Sequence, residues 1–179
     1  MVLLDLSKRK LTKIPVIPND VTKLNLSCNQ ITKIENLPDS LQVLNLHSNK
    51  ITKIENLSDS LQVLNLHSNK ITKIENLPEN LQILQLSDNH ITKIENLPSS
   101  LQKLNLENNE ITKLPLFLLE LRHIIQFNYI CNPIEYYHPL VERWLERLDR
   151  GIIGGNNKVY SDGQNIHNTT IQKSLRNSL

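Results

Sequence analysis

By type and spacing, the residues of this 179-residue chain most open to chemistry are His47 and His67. They stand twenty residues apart within two segments of identical sequence, residues 41–57 and 61–77. Paired imidazoles suggest a metal, but a metal needs a third or fourth ligand, and the matching positions to either side hold Ser27 and Ser87. No metal ligand set and no cofactor are therefore expected. Cys28 and Cys131 are too few for a disulfide scaffold or a zinc site. The sequence contains no nucleophile elbow, no HExxH and no Gly-Lys-Ser/Thr phosphate loop, so no catalytic residue is expected.

The elements that must position these residues follow from an internal period. Blocks of twenty residues align Met1, Val21, Leu41, Leu61, Leu81 and Leu101 at one position, and Leu4 through Leu104 and Leu6 through Leu106 at two others. Position 9 is Arg9 and then Asn29, Asn49, Asn69, Asn89 and Asn109. Ile124, Phe127, Tyr129, Asn132 and Ile134 continue the columns after a longer unit. Alternation at positions 3 to 6 predicts a short strand with leucine inward, and strands of successive units can pair about 4.8 Å apart. One unit cannot bury its apolar columns alone, so stacking must supply the core, with the asparagines bonding the backbone of neighbouring turns. Cys28 and Cys131, both at position 8, then lie about 24 Å apart and stay free thiols.

The consensus LxxLxLxxNxIxxIxxLPxx resembles the leucine-rich repeat family. The resemblance implies an α/β solenoid, mostly β: a right-handed horseshoe with a parallel β-sheet on its concave face, extended convex segments and a C-terminal capping helix. Seven repeats are expected over residues 1–134, starting at 1, 21, 41, 61, 81, 101 and 124. Residues 135–150 are expected to form the capping helix, and 151–179 a linker and tail. Proline at position 18 of four repeats disfavours convex helix, so little helix is expected before residue 115. From Pro139 to Arg150 the spacing predicts an amphipathic helix with Leu140, Val141, Trp144, Leu145 and Leu148 on one face. A structural ladder of Asn29, Asn49, Asn69, Asn89, Asn109 and Asn132 is expected inside.

Side chains at positions 3, 5 and 7 alternate with the buried leucines and face the concave side. They make Lys23, Asn25, Val43, Asn45, His47, Val63, Asn65, His67, Ile83, Gln85, Lys103 and Asn105 the candidate partner-binding residues. An apolar stripe of Val43, Val63 and Ile83, bounded by amides, histidines and lysines, is the pattern of a binding surface. Two neighbouring imidazoles resist joint protonation, so binding is expected to change below about pH 6.5. Lysines at position 13 alternate with Glu35, Glu55, Glu75 and Glu95, which predicts an ion-paired, solvated surface.

Twenty Lys+Arg against eighteen Asp+Glu gives a net charge of +2, which offers no drive toward nucleic acid or an acidic membrane. No apolar run reaches the roughly 20 residues that span a bilayer, and no secretory signal is apparent. The expectation is a monomer in the host cytoplasm, not secreted, binding a protein of unknown identity. The resemblance implies a non-enzymatic interaction scaffold. Its convex segments look like phosphatase-regulator repeats and its Leu-Pro turns like bacterial effector repeats. An adaptor or regulatory subunit for a ubiquitin or phosphatase enzyme, docked through the tail, is the alternative. The alanine-free, Asn- and Ile-rich repeats and the terminal segment also resemble repeat proteins of giant DNA viruses.

Overall fold

The computed structural model describes residues 1–149. The expected tail, residues 151–179, lies outside the described residues. Strands β1 (Val2–Asp5), β2 (Val21–Asn25), β3 (Val43–Asn45), β4 (Val63–Asn65), β5 (Ile83–Gln85) and β6 (Lys103–Asn105) each come from one turn of a solenoid. After the short β7 (Lys113–Leu114) and a 3-10 turn at Leu116–Glu120, β8 (Gln126–Asn128) completes a seven-stranded parallel sheet in the order β1-β2-β3-β4-β5-β6-β8. Register is strict through the middle, where Leu24, Leu44, Leu64, Leu84, Leu104 and Phe127 are successive partners.

Each turn contributes the same apolar set. In the third, Leu41, Leu44, Leu46, Ile51 and Ile54 are completely buried, and each such side chain stabilises by about 2 kcal/mol before entropy is counted. A tight turn leads into each strand: Leu41 N donates to Pro38 O, Leu81 N to Pro78 O and Leu101 N to Pro98 O. In the unit that lacks the proline, Leu61 N donates to Ser58 O and the Ser58 hydroxyl donates to Asp39 O at 2.7 Å, so serine keeps the turn.

The convex side has no helix before the 3-10 turn, as expected. It is nevertheless not simply extended. Asn36, Asn56, Asn76 and Asn96 all have left-handed backbones, with φ between 52° and 57°. Asn56 Nδ2 donates to Ile34 O at 3.0 Å and Asn76 Nδ2 to Ile54 O at 3.1 Å, forming a second asparagine ladder. Its signal was in the sequence as the Asn of each Ile-Glu-Asn-Leu, since asparagine is the side chain that best tolerates this conformation.

At the C-terminal end, β9 (Tyr136–Tyr137) pairs with β7 in a separate two-stranded sheet. Helix α1 (Pro139–Asp149) follows, and Leu140 N donates to His138 Nδ1 at its start. Val141, Trp144, Leu145 and Leu148 are buried, and the Trp144 ring meets Phe127 at 5.7 Å between centroids. The helix thus covers the last layer. Leu140 departs from expectation: it is 45% exposed and lies off the buried face. Positions 141, 144, 145 and 148 already complete the 3-4 spacing of the stripe, which leaves residue 140 at its margin.

A candidate protein-docking face

The chemistry of the concave sheet begins with residue alternation. Around each inward leucine, the flanking residues project from the sheet, and Lys23, Val43, Val63, Ile83, Lys103 and Gln126 are successive register partners. Asn25, Asn45, Asn65, Gln85, Asn105 and Asn128 form the parallel row. All twelve concave residues expected from the sequence are half-buried, held at their flanks by neighbouring strands. Val43, Val63 and Ile83 form a continuous apolar stripe across β3, β4 and β5.

The asparagine row has a structural duty that the sequence reading missed. Asn25 Oδ1 accepts from Ser27 N, Asn45 from His47 N, Asn65 from His67 N and Asn105 from Glu107 N, all between 3.0 and 3.1 Å. Each closes the chain where the strand ends, so one side of the amide is engaged within its own turn. Asp5 does the same for Ser7 N at 2.8 Å. That hydrogen bond, with the Ser7 hydroxyl, Asn25 and the Arg9 charge, holds the Asp5 carboxyl below the usual carboxylate range.

His47 and His67 come together as expected, with centroids 4.7 Å apart and planes 8° from parallel. His67 Nδ1 meets Ser87 O at 3.2 Å and Asp88 Oδ2 at 3.0 Å, and Nε2 lies 3.1 Å from Ser68 Oγ. Asn108 Nδ2 donates to the other Asp88 oxygen. A serine, a histidine and a carboxylate are therefore in contact in the order that nucleophilic catalysis requires. The amides beside Ser68 are already used: Ser68 N donates to Ser87 O and Asn69 N to Asp88 O. No pair of free backbone donors stands ready there for an oxyanion. The contacts instead tie β4, β5 and β6 together at their C-terminal ends.

Beneath this face runs the expected asparagine ladder. Asn69 Oδ1 accepts from Ile51 N at 3.0 Å, and Nδ2 donates to Leu46 O and Leu66 O, both at 3.0 Å. Asn29, Asn49, Asn89, Asn109 and Asn132 repeat the arrangement. Asn29 also reaches the first turn, accepting from Arg9 N and Leu11 N at 3.0 Å. Arg9, at the ladder position of the first turn, is exposed.

Among the described residues, no group of three or more His, Cys, Asp or Glu could hold a metal, and no helix is long and apolar enough to cross a membrane. Cys28 and Cys131 are free and exposed. The lysine–glutamate ladder differs from expectation: among the described residues, none of Lys33, Lys53, Lys73 and Lys93 pairs with Glu35, Glu55, Glu75 or Glu95. Within ion-pair distance instead lie His67 and Asp88, and His90 and Glu110, charged on both sides only when the imidazole is protonated. Lysine and glutamate two residues apart on an extended chain gain too little, against solvent screening, to fix their side chains.

A parallel sheet of stacked twenty-residue turns over an asparagine ladder is the fold of leucine-rich repeat proteins, and repeat-family models match parts of the chain. Residues 39–79 match the model "Leucine Rich repeats (2 copies)", residues 100–121 match "Leucine Rich Repeat", and residues 10–48 and 69–109 match "FNIP Repeat". No curated protein matches the sequence significantly. Among solved structures, YopM from Yersinia enterocolitica is similar at a TM-score of 0.67 and 26% identity, covering 75% of this chain and 29% of that one. A Shigella effector leucine-rich repeat domain is similar at a TM-score of 0.67 and 25% identity, covering 83% and 76%. The functional domain of InlJ from Listeria monocytogenes, which includes a cysteine ladder, gives 0.62 and 29%, covering 75% and 31%. The chain thus spans less than a third of the YopM and InlJ structures.

Proposed function

We propose that this chain is a non-enzymatic recognition scaffold that binds a protein through its concave sheet. One observation carries the reading: Val43, Val63 and Ile83 form an apolar stripe across three in-register strands, beside polar amides and imidazoles. Aliphatic side chains presented on a rigid sheet gain by desolvation when a partner covers them, and the polar surroundings supply orientation. Resemblance to a Shigella effector repeat domain supports an interaction role by fold analogy. Two free, exposed thiols suit a reducing, intracellular setting. The alanine-free, Asn- and Ile-rich repeats suit an origin among giant DNA viruses, and we read the scaffold as a monomer.

Affinity capture from the host cell tests the reading. The intact chain is compared with Val43→Glu/Val63→Glu and with a truncation after Arg150. Loss of the captured partner in the double variant, with the fold retained by circular dichroism, is the expected result. Capture unchanged by the two charges would remove the concave face from the function. Capture lost only on truncation would move it to the tail.

A further inference from the structure

The small net charge conceals an ordered separation of charge across the two edges of the concave sheet. In the turns leading into β3, β4 and β5 stand Asp39, Asp59 and Glu79, all exposed. In the loops leaving β3 and β4 stand Lys50 and Lys70, also exposed. Between these rims runs the stripe of Val43, Val63 and Ile83. The middle of the sheet is therefore acidic along one side, apolar along its centre and basic along the other. Beyond β4 the basic rim ends: the loops leaving β5 and β6 carry Asp88, Glu107 and Glu110.

The spacing of the stripe limits what can lie on it. Neighbouring strands are about 4.8 Å apart, so apolar side chains of an occupant must recur at about that interval to meet Val43, Val63 and Ile83 in turn. One turn of an α-helix advances about 5.4 Å, close enough to stay in step over three rows. Alternate residues of an extended strand advance about 6.7 Å and fall out of step by the third. A helix laid across the strands also presents two flanks, one to each rim.

Resting on the concave-face reading, we propose that the partner segment is an amphipathic α-helix lying across β3, β4 and β5. Its apolar ridge sits on Val43, Val63 and Ile83. Its acidic flank faces Lys50 and Lys70, and its basic flank faces Asp39, Asp59 and Glu79. The unlike rims select against helices charged alike on both sides, because one flank would always meet its own sign.

Three synthetic helical peptides of about 14 residues, with one leucine ridge at i, i+3, i+4, i+7 spacing, test this. One carries Glu on one flank and Lys on the other, the second Glu on both, the third Lys on both. Fluorescence anisotropy with the full chain is expected to show the split peptide binding roughly tenfold more tightly than either of the others, the sum of several modest rim pairs. Lys50→Glu/Lys70→Glu, at exposed positions, is expected to shift the preference to the all-Lys peptide. Equal binding of the split and all-Glu peptides, abolished by Val43→Glu/Val63→Glu, would overturn the flank assignment and leave the concave reading standing. Binding unaffected by Val43→Glu/Val63→Glu would overturn both. Failure of every peptide to bind would overturn the helical occupant, and the capture experiment above decides the concave face independently.

Discussion

The imidazoles of His47 and His67 stack face to face at 4.7 Å, and the second is held by groups from the next turn, Ser87 O and Asp88 Oδ2. Identical sequence around both rings thus ends in two environments, because only the turn after His67 supplies a carboxylate. Two groups that can only accept, Ser87 O and Asp88 Oδ2, crowd His67 Nδ1 together with the Ser87 hydroxyl at 2.8 Å, which can accept as well, while Nε2 faces the Ser68 hydroxyl, which can donate to it. Neutral His67 should therefore carry its proton on Nδ1. Long-range ¹⁵N–¹H correlation spectra distinguish the tautomers, and an Nε2–H pattern would refute this assignment.

Removing one rung of the inner ladder should destabilise the fold measurably. Asn69→Ala leaves Ile51 N without its buried acceptor, while Leu46 O and Leu66 O keep the amides of Asn49 and Asn89. One unsatisfied buried N–H costs about 1–3 kcal/mol, so a loss of about 2 kcal/mol is expected in urea unfolding. Arg9→Asn occupies the same column at an exposed end and should change stability by less than about 0.5 kcal/mol.

Position 8 should discriminate by backbone conformation alone. Cys28 has φ 56° and its side chain is exposed. Cys28→Gly should be neutral within about 0.5 kcal/mol, as relief of left-handed strain offsets the added entropy of the unfolded chain. Cys28→Val should destabilise by about 1–2 kcal/mol, because a β-branched side chain crowds this region most. Equal thermal melts for the two variants would contradict this.

Acid should loosen the first turn through Asp5. Hydrogen bonding by Ser7 lowers its folded-state pKa, so the folded chain holds on to the ionised form. The resulting stability is fully present above the unfolded value near 3.9, and it disappears as pH falls through the lower folded value. Asp5→Asn supplies the residue that later turns use at this position and removes the titration. The stability difference between the two proteins should shrink on going from pH 5 to pH 2. A difference that stays constant would show that the carboxylate contributes nothing to that edge.

The periodic columns by themselves determined the solenoid, the inward leucines and isoleucines, the asparagine ladder and the row containing Val43, Val63 and Ile83. Repetition makes this possible: every turn meets the same neighbour, so contacts twenty residues apart are as regular as local ones. Only the tertiary structure decided which polar groups are already spent. The concave asparagines look equivalent as letters, yet their Oδ1 atoms close the ends of the strands. The lysine and glutamate columns look paired and are not, because pairing depends on side-chain reach and solvent screening, which order in the chain does not encode. Placement of Leu140 outside the helix stripe, and of Asp88 against His67 but not His47, likewise required the three-dimensional path of adjoining turns.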